Sequence, residues 1–237
     1  MPTKFHIQYI IILLFLAAGI DMTAQGNQPN SDDKQFHFGF LLGFNAFDFG
    51  IQESGLNQAG AVYHADVSTL QPGFSVGIIT DMLIVRNLNV RFNPTLHFAE
   101  RQLTYRAGKN PETTTISLSS IPLCLPLNLK FSSERKGNFR PYIITGLGVY
   151  YDLATYKDQP VLLKPIDAYA EIGLGCDLYF SFFKLAPELK LAFGLNDMFV
   201  PLDARSGLNS MPDEDKIYSL ALSKLTSRML TLSFNFE

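Results

Sequence analysis

The chain has 237 residues, 19 Lys+Arg against 22 Asp+Glu for a formal charge of -3, and a mean hydropathy of +0.10. Without an excess of cations to neutralise a phosphate backbone, nucleic acid is excluded as a partner class. With 47% hydrophobic residues, 20 Phe and no Trp, disorder over most of the chain is excluded too, and the hydropathy makes a membrane the solvent to test.

In chain order, Lys4 precedes an apolar run containing Ile10, Ile11, Ile12, Leu13, Leu14, Phe15 and Leu16, which leads to Met22-Thr23-Ala24-Gln25. A positive n-region, an apolar h-region and a small residue before a polar stretch predict a signal peptide over 1–24, cleaved after Ala24. No Cys stands at that point to carry a lipid anchor. Residues 25–35 are expected to be a flexible N-terminal segment, and 36–237 a single barrel domain. Beyond residue 24 no apolar stretch is long enough for a membrane helix.

From Phe36 the dominant period is two. Phe36, Phe38, Phe40, Leu42 and Phe44 alternate with His37, Gly39, Leu41, Gly43 and Asn45, the pattern of a strand with one apolar face. Phe74, Val76 and Ile78 continue it against Ser75, Gly77 and Asp81. Leu88, Val90, Phe92, Leu96 and Phe98 then alternate with Asn89, Arg91, Asn93, Thr95 and His97. Further alternating segments cover 118–131, 139–153, 166–182, 185–195 and 230–236, about eight strands in all. Pro122 and Pro126 interrupt the fourth, where a bulge or kink is expected because a closed barrel has no free edge to hide a missing donor. Asp213 to Leu225, with Ile217, Leu220, Ala221 and Lys224 at helical spacing, is read as a short helix in the last long loop.

The links near Arg86-Asn87, 132–138 and 182–184 are short. Those at 50–70, 106–114, 154–165 and 197–217 are longer. This is the construction of an all-β, eight-stranded antiparallel transmembrane β-barrel with short periplasmic turns and longer extracellular loops, placed in the outer membrane with lipid as its first partner. A soluble lipocalin-type barrel alternates as well but carries its charges outside. Here the polar face bears Arg91, Arg101, Lys130, Arg140, Asp152, Asp167, Glu171, Asp177, Glu188 and Lys190, charges of both signs that suit a narrow interior where they can pair. Phe74, Val90, Phe92, Leu125, Leu147, Leu174, Leu191 and Leu232 are expected to face lipid.

No catalytic, metal or cofactor constellation emerges. His97, on the polar face, belongs with Arg91, Lys130, Arg140, Asp152, Glu171, Asp177, Glu188 and Lys190 to an expected structural network in the lumen, with pairs drawn from Arg91, Arg140 and Lys130 against Asp152, Glu171, Asp177 and Glu188. His64 is assigned to a loop. Ser119 points outward by parity, but no His shares that face, which disfavours a lipid-modifying enzyme. Gly146-Leu147-Gly148 and Gly173-Leu174-Gly175 sit inside strands, where glycines make room for Tyr150 and Tyr169. Parity sends Cys124 into the lumen and Cys176 toward lipid, so two free thiols are expected.

The strings Phe40-Leu-Leu-Gly-Phe-Asn-Ala-Phe-Asp-Phe49, Pro72-Gly-Phe-Ser-Val-Gly-Ile-Ile-Thr-Asp81, Leu88-Asn-Val-Arg-Phe-Asn-Pro-Thr-Leu-His-Phe-Ala-Glu-Arg101, Ser120-Ile-Pro-Leu123 and Asn138-Phe-Arg-Pro-Tyr142 resemble the PorT family of Bacteroidota outer-membrane barrels. The resemblance runs from about 36 to 237 and is densest between 72 and 153. It implies a non-enzymatic part in type IX secretion, which exports proteins carrying a C-terminal sorting domain, with other envelope secretion components as partners. An eight-stranded barrel filled by side chains cannot pass a folded protein, so the implied role is accessory or scaffold. A structural or adhesive barrel is the alternative.

Overall fold

The computed structural model describes residue 32 and residues 34–55, 57–58, 61–67, 71–107, 113–154, 160–205 and 213–237. The expected signal peptide and most of the expected N-terminal segment lie outside the described residues. The elements are β1 (Phe36–Glu53), β2 (Asn57–Gln58), β3 (Ala61–Val67), β4 (Gln71–Val85), β5 (Leu88–Phe92), β6 (Thr95–Ala107), β7 (Thr113–Ser120), β8 (Pro122–Ser132), β9 (Phe139–Asp152), β10 (Ile166–Tyr179), β11 (Lys184–Gly194), a 3-10 turn at Leu202–Ala204, helix α1 (Asp213–Leu220) and β12 (Leu222–Phe236).

All pairings are antiparallel, and β1 closes the ring by pairing with β4 on one side, from Phe36↔Met82 to Phe47↔Gln71, and with β12 on the other, from Phe40↔Phe236. Several strands join end to end into taller staves, so the wall has eight: β1, β3 with β4, β5 with β6, β7 with β8, and then β9, β10, β11 and β12 singly. Tight reversals occupy one end, helped by left-handed backbone at Asn87 (φ 71°) and Gly137 (φ 62°). Among the described residues no helix is long and apolar enough to cross a membrane. Crossing falls to the strands, whose backbone groups the closed ring satisfies.

Parity holds through the lower wall. Phe74, Phe92, Leu125, Leu147, Leu174, Leu191 and Leu232 are exposed on the outside and Val90 is half-exposed there, while the ten charged residues of the polar face are buried within the ring.

Three expectations need correction. Of the bulge or kink expected at the prolines, the bulge is ruled out by the register. Phe92↔Leu127 and Thr95↔Cys124 flank a gap in the ladder without any change of register, with Asn93 and Pro94 facing Pro126 and Leu125. Pro126 has no N–H for the Asn93 carbonyl, which instead accepts from Thr95 Oγ1 at 2.8 Å. The helix of the last loop ends at Leu220 rather than running on to Leu225, because Leu225 is wanted in β12 as a fully buried residue of the core. Among the described residues the segments at 50–70 and 106–114 are largely strand at their ends rather than loop: β1 runs to Glu53, β3 holds His64, and β6 and β7 continue the wall to Ala107 and from Thr113.

The taller staves change face as they rise. Leu96 and Phe98 point outward, but further up β6 the buried apolar residues are Leu103 and Tyr105, on the opposite parity, while Glu100, Gln102, Thr104 and Arg106 take the outside. Phe44 is outward on β1, and Phe47 and Phe49 are inward. On β7, Leu118 is inward and Ser117 and Ser119 are exposed. Outward Asp48 stands in register with outward Arg228 where the apolar band stops. Below that level the wall faces hydrocarbon, and above it water.

Candidate functional site

Inside the lower wall the strand pleat stacks charged side chains in layers. Arg91, on β5, has no exposed surface. Its guanidinium meets Asp81 of β4 at 2.7 Å, Glu237 at 2.6 Å and Glu188 of β11 at 3.5 Å. Lys184 also reaches Glu237, at 2.6 Å. Lys130 holds both oxygens of Asp177 at 2.9 and 2.7 Å, and Lys190 lies between Glu171 at 3.4 Å and Glu188 at 3.5 Å. Tyr142 donates to Glu188 at 2.7 Å, and Asn128 donates to Glu171 at 2.6 Å. Cations and carboxylates are interleaved, as burial of charge requires. Glycines give the tyrosines their space: a Cβ at Gly148 would come within 2.5 Å of the Tyr169 ring, and one at Gly175 within 2.3 Å of Tyr142.

Of the residues expected in this network, Arg91, Lys130, Glu171, Asp177, Glu188 and Lys190 meet in these layers. His97 sits apart, its Nδ1 2.7 Å from Ser75 Oγ. Asp152 accepts from Ser120 and from the Ile121 N–H at 2.9 Å, near the upper rim. Arg140 finds its carboxylate in Asp32 rather than in any of the four acids expected for it. The layers also hold Asp81, Lys184 and Glu237, which the expected network does not include. Lys184 and Glu237 do share the inner parity of Glu188 and Asn235, so the alternation could have been carried one step further at each strand end.

Two cavities lie within the wall, one bordered by His97, Cys124, Tyr169, Glu171 and Lys190, the other by Phe47, Tyr150, Tyr169 and Met229. Each holds about 10 Å³, roughly one water. No group of three His, Cys, Asp or Glu able to hold a metal exists among the described residues. Cys124 is buried, Cys176 is half-buried on the outer face, and both are free thiols.

The upper interior has the opposite chemistry. Phe49, Leu103, Tyr105, Leu118, Ala221, Leu222 and Leu225 form one apolar cluster with Val161 and Phe199, which come from the loops and cover the mouth. The loops join each other as a small sheet at Leu163↔Phe199, with Lys164 N–H to Met198 O at 2.7 Å and Val200 N–H to Leu162 O at 3.1 Å. Arg205 clasps this cover, donating to Val200 O, Pro160 O and Ser219 Oγ at 3.1, 3.1 and 2.9 Å; its partial burial lowers its pKa, partly offset by Tyr105. Arg101 lies beneath, fully buried. Its guanidinium has no hydrogen-bond partner among the described residues and rests over Phe47 at 4.8 Å and Phe49 at 5.0 Å.

At the short-turn end, a basin of about 530 Å³ opens to solvent between Leu83, Arg86, Asn87, Glu134, Arg135 and Arg140, with Asp32 at its side. The Asp32 carboxylate accepts from Arg140 Nη1 at 3.0 Å and from Tyr179 OH, with Arg135 at 3.6 Å. Burial alone would raise the Asp32 pKa, but the Tyr179 hydrogen bond and the Arg140 and Arg135 charges outweigh it and hold it below the usual carboxylate value.

The sequence model described as outer membrane protein beta-barrel domain matches residues 23–200. A search of curated proteins finds no match. Among solved structures, OprG from Pseudomonas aeruginosa is similar over 89% of this chain and 96% of its own, at 13% identity and a TM-score of 0.48. Neisserial surface protein A covers 85% and 98% at 9% identity with a TM-score of 0.42, and AlkL, solved in lipid bilayers, covers 90% and 97% at 13% and 0.42.

Proposed function

The chain belongs to the outer membrane protein beta-barrel domain family, and from that premise we propose that it is a non-enzymatic accessory or scaffold of type IX protein secretion, acting through its end surfaces. The observation that carries the scaffold part is the filled interior. Arg91 reaches across the lumen to Glu188, Lys130 reaches Asp177 two strands away, Lys190 joins Glu171 of the neighbouring strand, and an apolar cluster covers the mouth above them, which among the described residues leaves no bore for a protein. The likeness of the strings at 72–81 and 88–101 to PorT supports the secretion part. The absence of catalysis is supported by Ser119, which stands exposed on the outer face while His97 is buried in the lumen. Partners among the envelope secretion components would then meet the turns at the periplasmic end, above all 132–138.

Deleting the gene and measuring export of proteins that carry the type IX sorting domain tests this. Lost export, restored by the wild-type barrel and by one with shortened outer loops, is the expected result. A second reading, a surface-binding or adhesive barrel, is favoured by the wall's rise above the membrane in β3, β6 and β7. Normal export with altered adhesion would select it.

A further inference from the structure

The basin at the periplasmic end is built before anything enters it. Arg140 is fixed by the barrel itself: its Nε donates to Ser133 O at 2.9 Å and its Nη2 to Asn87 Oδ1 at 2.9 Å, which turns Nη1 toward the basin. Arg135 is held in the turn, with Nε on Gly137 O at 2.7 Å and its guanidinium 3.7 Å over the Tyr179 ring. The Tyr179 hydroxyl converges on the same point. Two guanidinium groups and a phenol, aimed together by atoms of the barrel and its turns, form a receptor for a carboxylate.

The chain's own Asp32 fills that receptor and leaves most of the basin open. The open volume of about 530 Å³ lies in the range of ligand pockets, far more than one carboxylate needs. Among the described residues its rim carries Arg86, Arg135 and Arg140 against Asp32 and Glu134, three cations to two carboxylates. Arg86 and Glu134, 3.6 Å apart, are both largely exposed and can part at little cost.

We propose that this basin is a docking site for an acidic peptide segment of a periplasmic partner, and that Asp32 is a built-in competitor occupying the carboxylate position until the partner displaces it. The inference rests on the scaffold reading and names the chemistry of its working surface. A tethered carboxylate acts at an effective concentration in the millimolar range, so a weakly acidic segment is refused and a multiply charged one is accepted.

The test uses the full barrel in nanodiscs of zwitterionic lipid and a dye-labelled dodecapeptide rich in Asp and Glu, with its Asn/Gln counterpart as control. Asp32→Asn should bind the acidic peptide about tenfold more tightly than wild type, given the effective concentration above. Adding Arg140→Gln or Arg135→Gln to Asp32→Asn should remove the binding, and the control peptide should not bind. The heat-modifiable gel shift reports folding of each variant, and Arg135, on the turn, keeps the test decisive where Arg140→Gln fails to fold. Equal affinity for wild type and Asp32→Asn, or affinity untouched by the arginine changes, would overturn the proposal. So would displacement of the peptide by phosphatidylglycerol nanodiscs, which would assign the basin to lipid headgroups. Peptide binding as expected combined with normal type IX export in the deletion strain would overturn the secretion reading and leave the receptor standing. Lost export with no peptide binding would do the reverse.

Discussion

The lower and upper halves of the wall are built from the same strands and dressed in opposite ways. Below Asp48 and Arg228 the outside is Phe and Leu and the inside is paired charge; above them the outside is Thr, Ser, Gln and Glu and the inside is Leu, Tyr and Phe. The exchange happens within single strands, between Phe98 and Leu103 on β6 and between Phe44 and Phe47 on β1. Alternation therefore says only that a strand separates two environments. Which parity is apolar identifies the solvent on each side.

The largest effect expected from breaking this contrast comes from the lower interior. Asp177→Ala leaves Lys130 buried without its carboxylate, and loss of one partner of a buried pair costs about 3–5 kcal/mol. The midpoint of urea unfolding in lipid vesicles measures it. In the upper interior, Leu103→Ala opens a cavity under the cover and should cost about 2–5 kcal/mol. It should also make the cover at 160–165 and 195–205 more susceptible to protease while the membrane half keeps its gel shift. The outside sharpens the comparison further. Arg in place of Leu147, at mid-depth on the lipid face, should cost about 2–4 kcal/mol, whereas Arg in place of outward Ser117, above the change of face, should cost about nothing by the same vesicle assay. Equal penalties would mean that the upper wall is immersed too.

The smallest expected effect concerns Asp32. Its folded-state pKa is depressed, so its contribution is fully present at neutral pH and is lost only as pH falls through the depressed value, below the ordinary 3.8. An N-terminal spin label near Asp32 should stay restrained from pH 8 to about 4, as that ordinary value implies, and be released under stronger acid. Release near neutrality would mean that Arg140, Arg135 and Tyr179 do not hold the carboxylate.

Much of this could be read in the sequence, because period-two patterning survives wherever one side of a strand is lipid. The staves, the inward charges from Arg91 to Lys190 and the facing of both cysteines follow from parity alone. The pairing partners do not. Arg91 meets Asp81, Glu188 and Glu237, from three different staves, and Arg140 turns down to Asp32, outside the strands, because ring closure and stagger decide which heights coincide. The apolar upper core escaped for a different reason. Leu103, Tyr105 and Leu118 are out of phase with Phe98 and Leu123, and a pattern read for one apolar face treats such residues as the end of a strand rather than as the same strand in another solvent.

The proline gap also bears on how the wall moves. Pro126 deprives the Asn93 carbonyl of a donor from one neighbour, and Pro94, which accepts from Ile78 N–H at 3.1 Å, can return no bond to the other. The stave made of β5 and β6 is thus loosened at one height on both flanks, with the Thr95 hydroxyl as the local stitch. Missing donors on both flanks lower the cost of local opening, so amide exchange beside Asn93–Pro94 is expected to run faster than in the fully bonded ladder next to it.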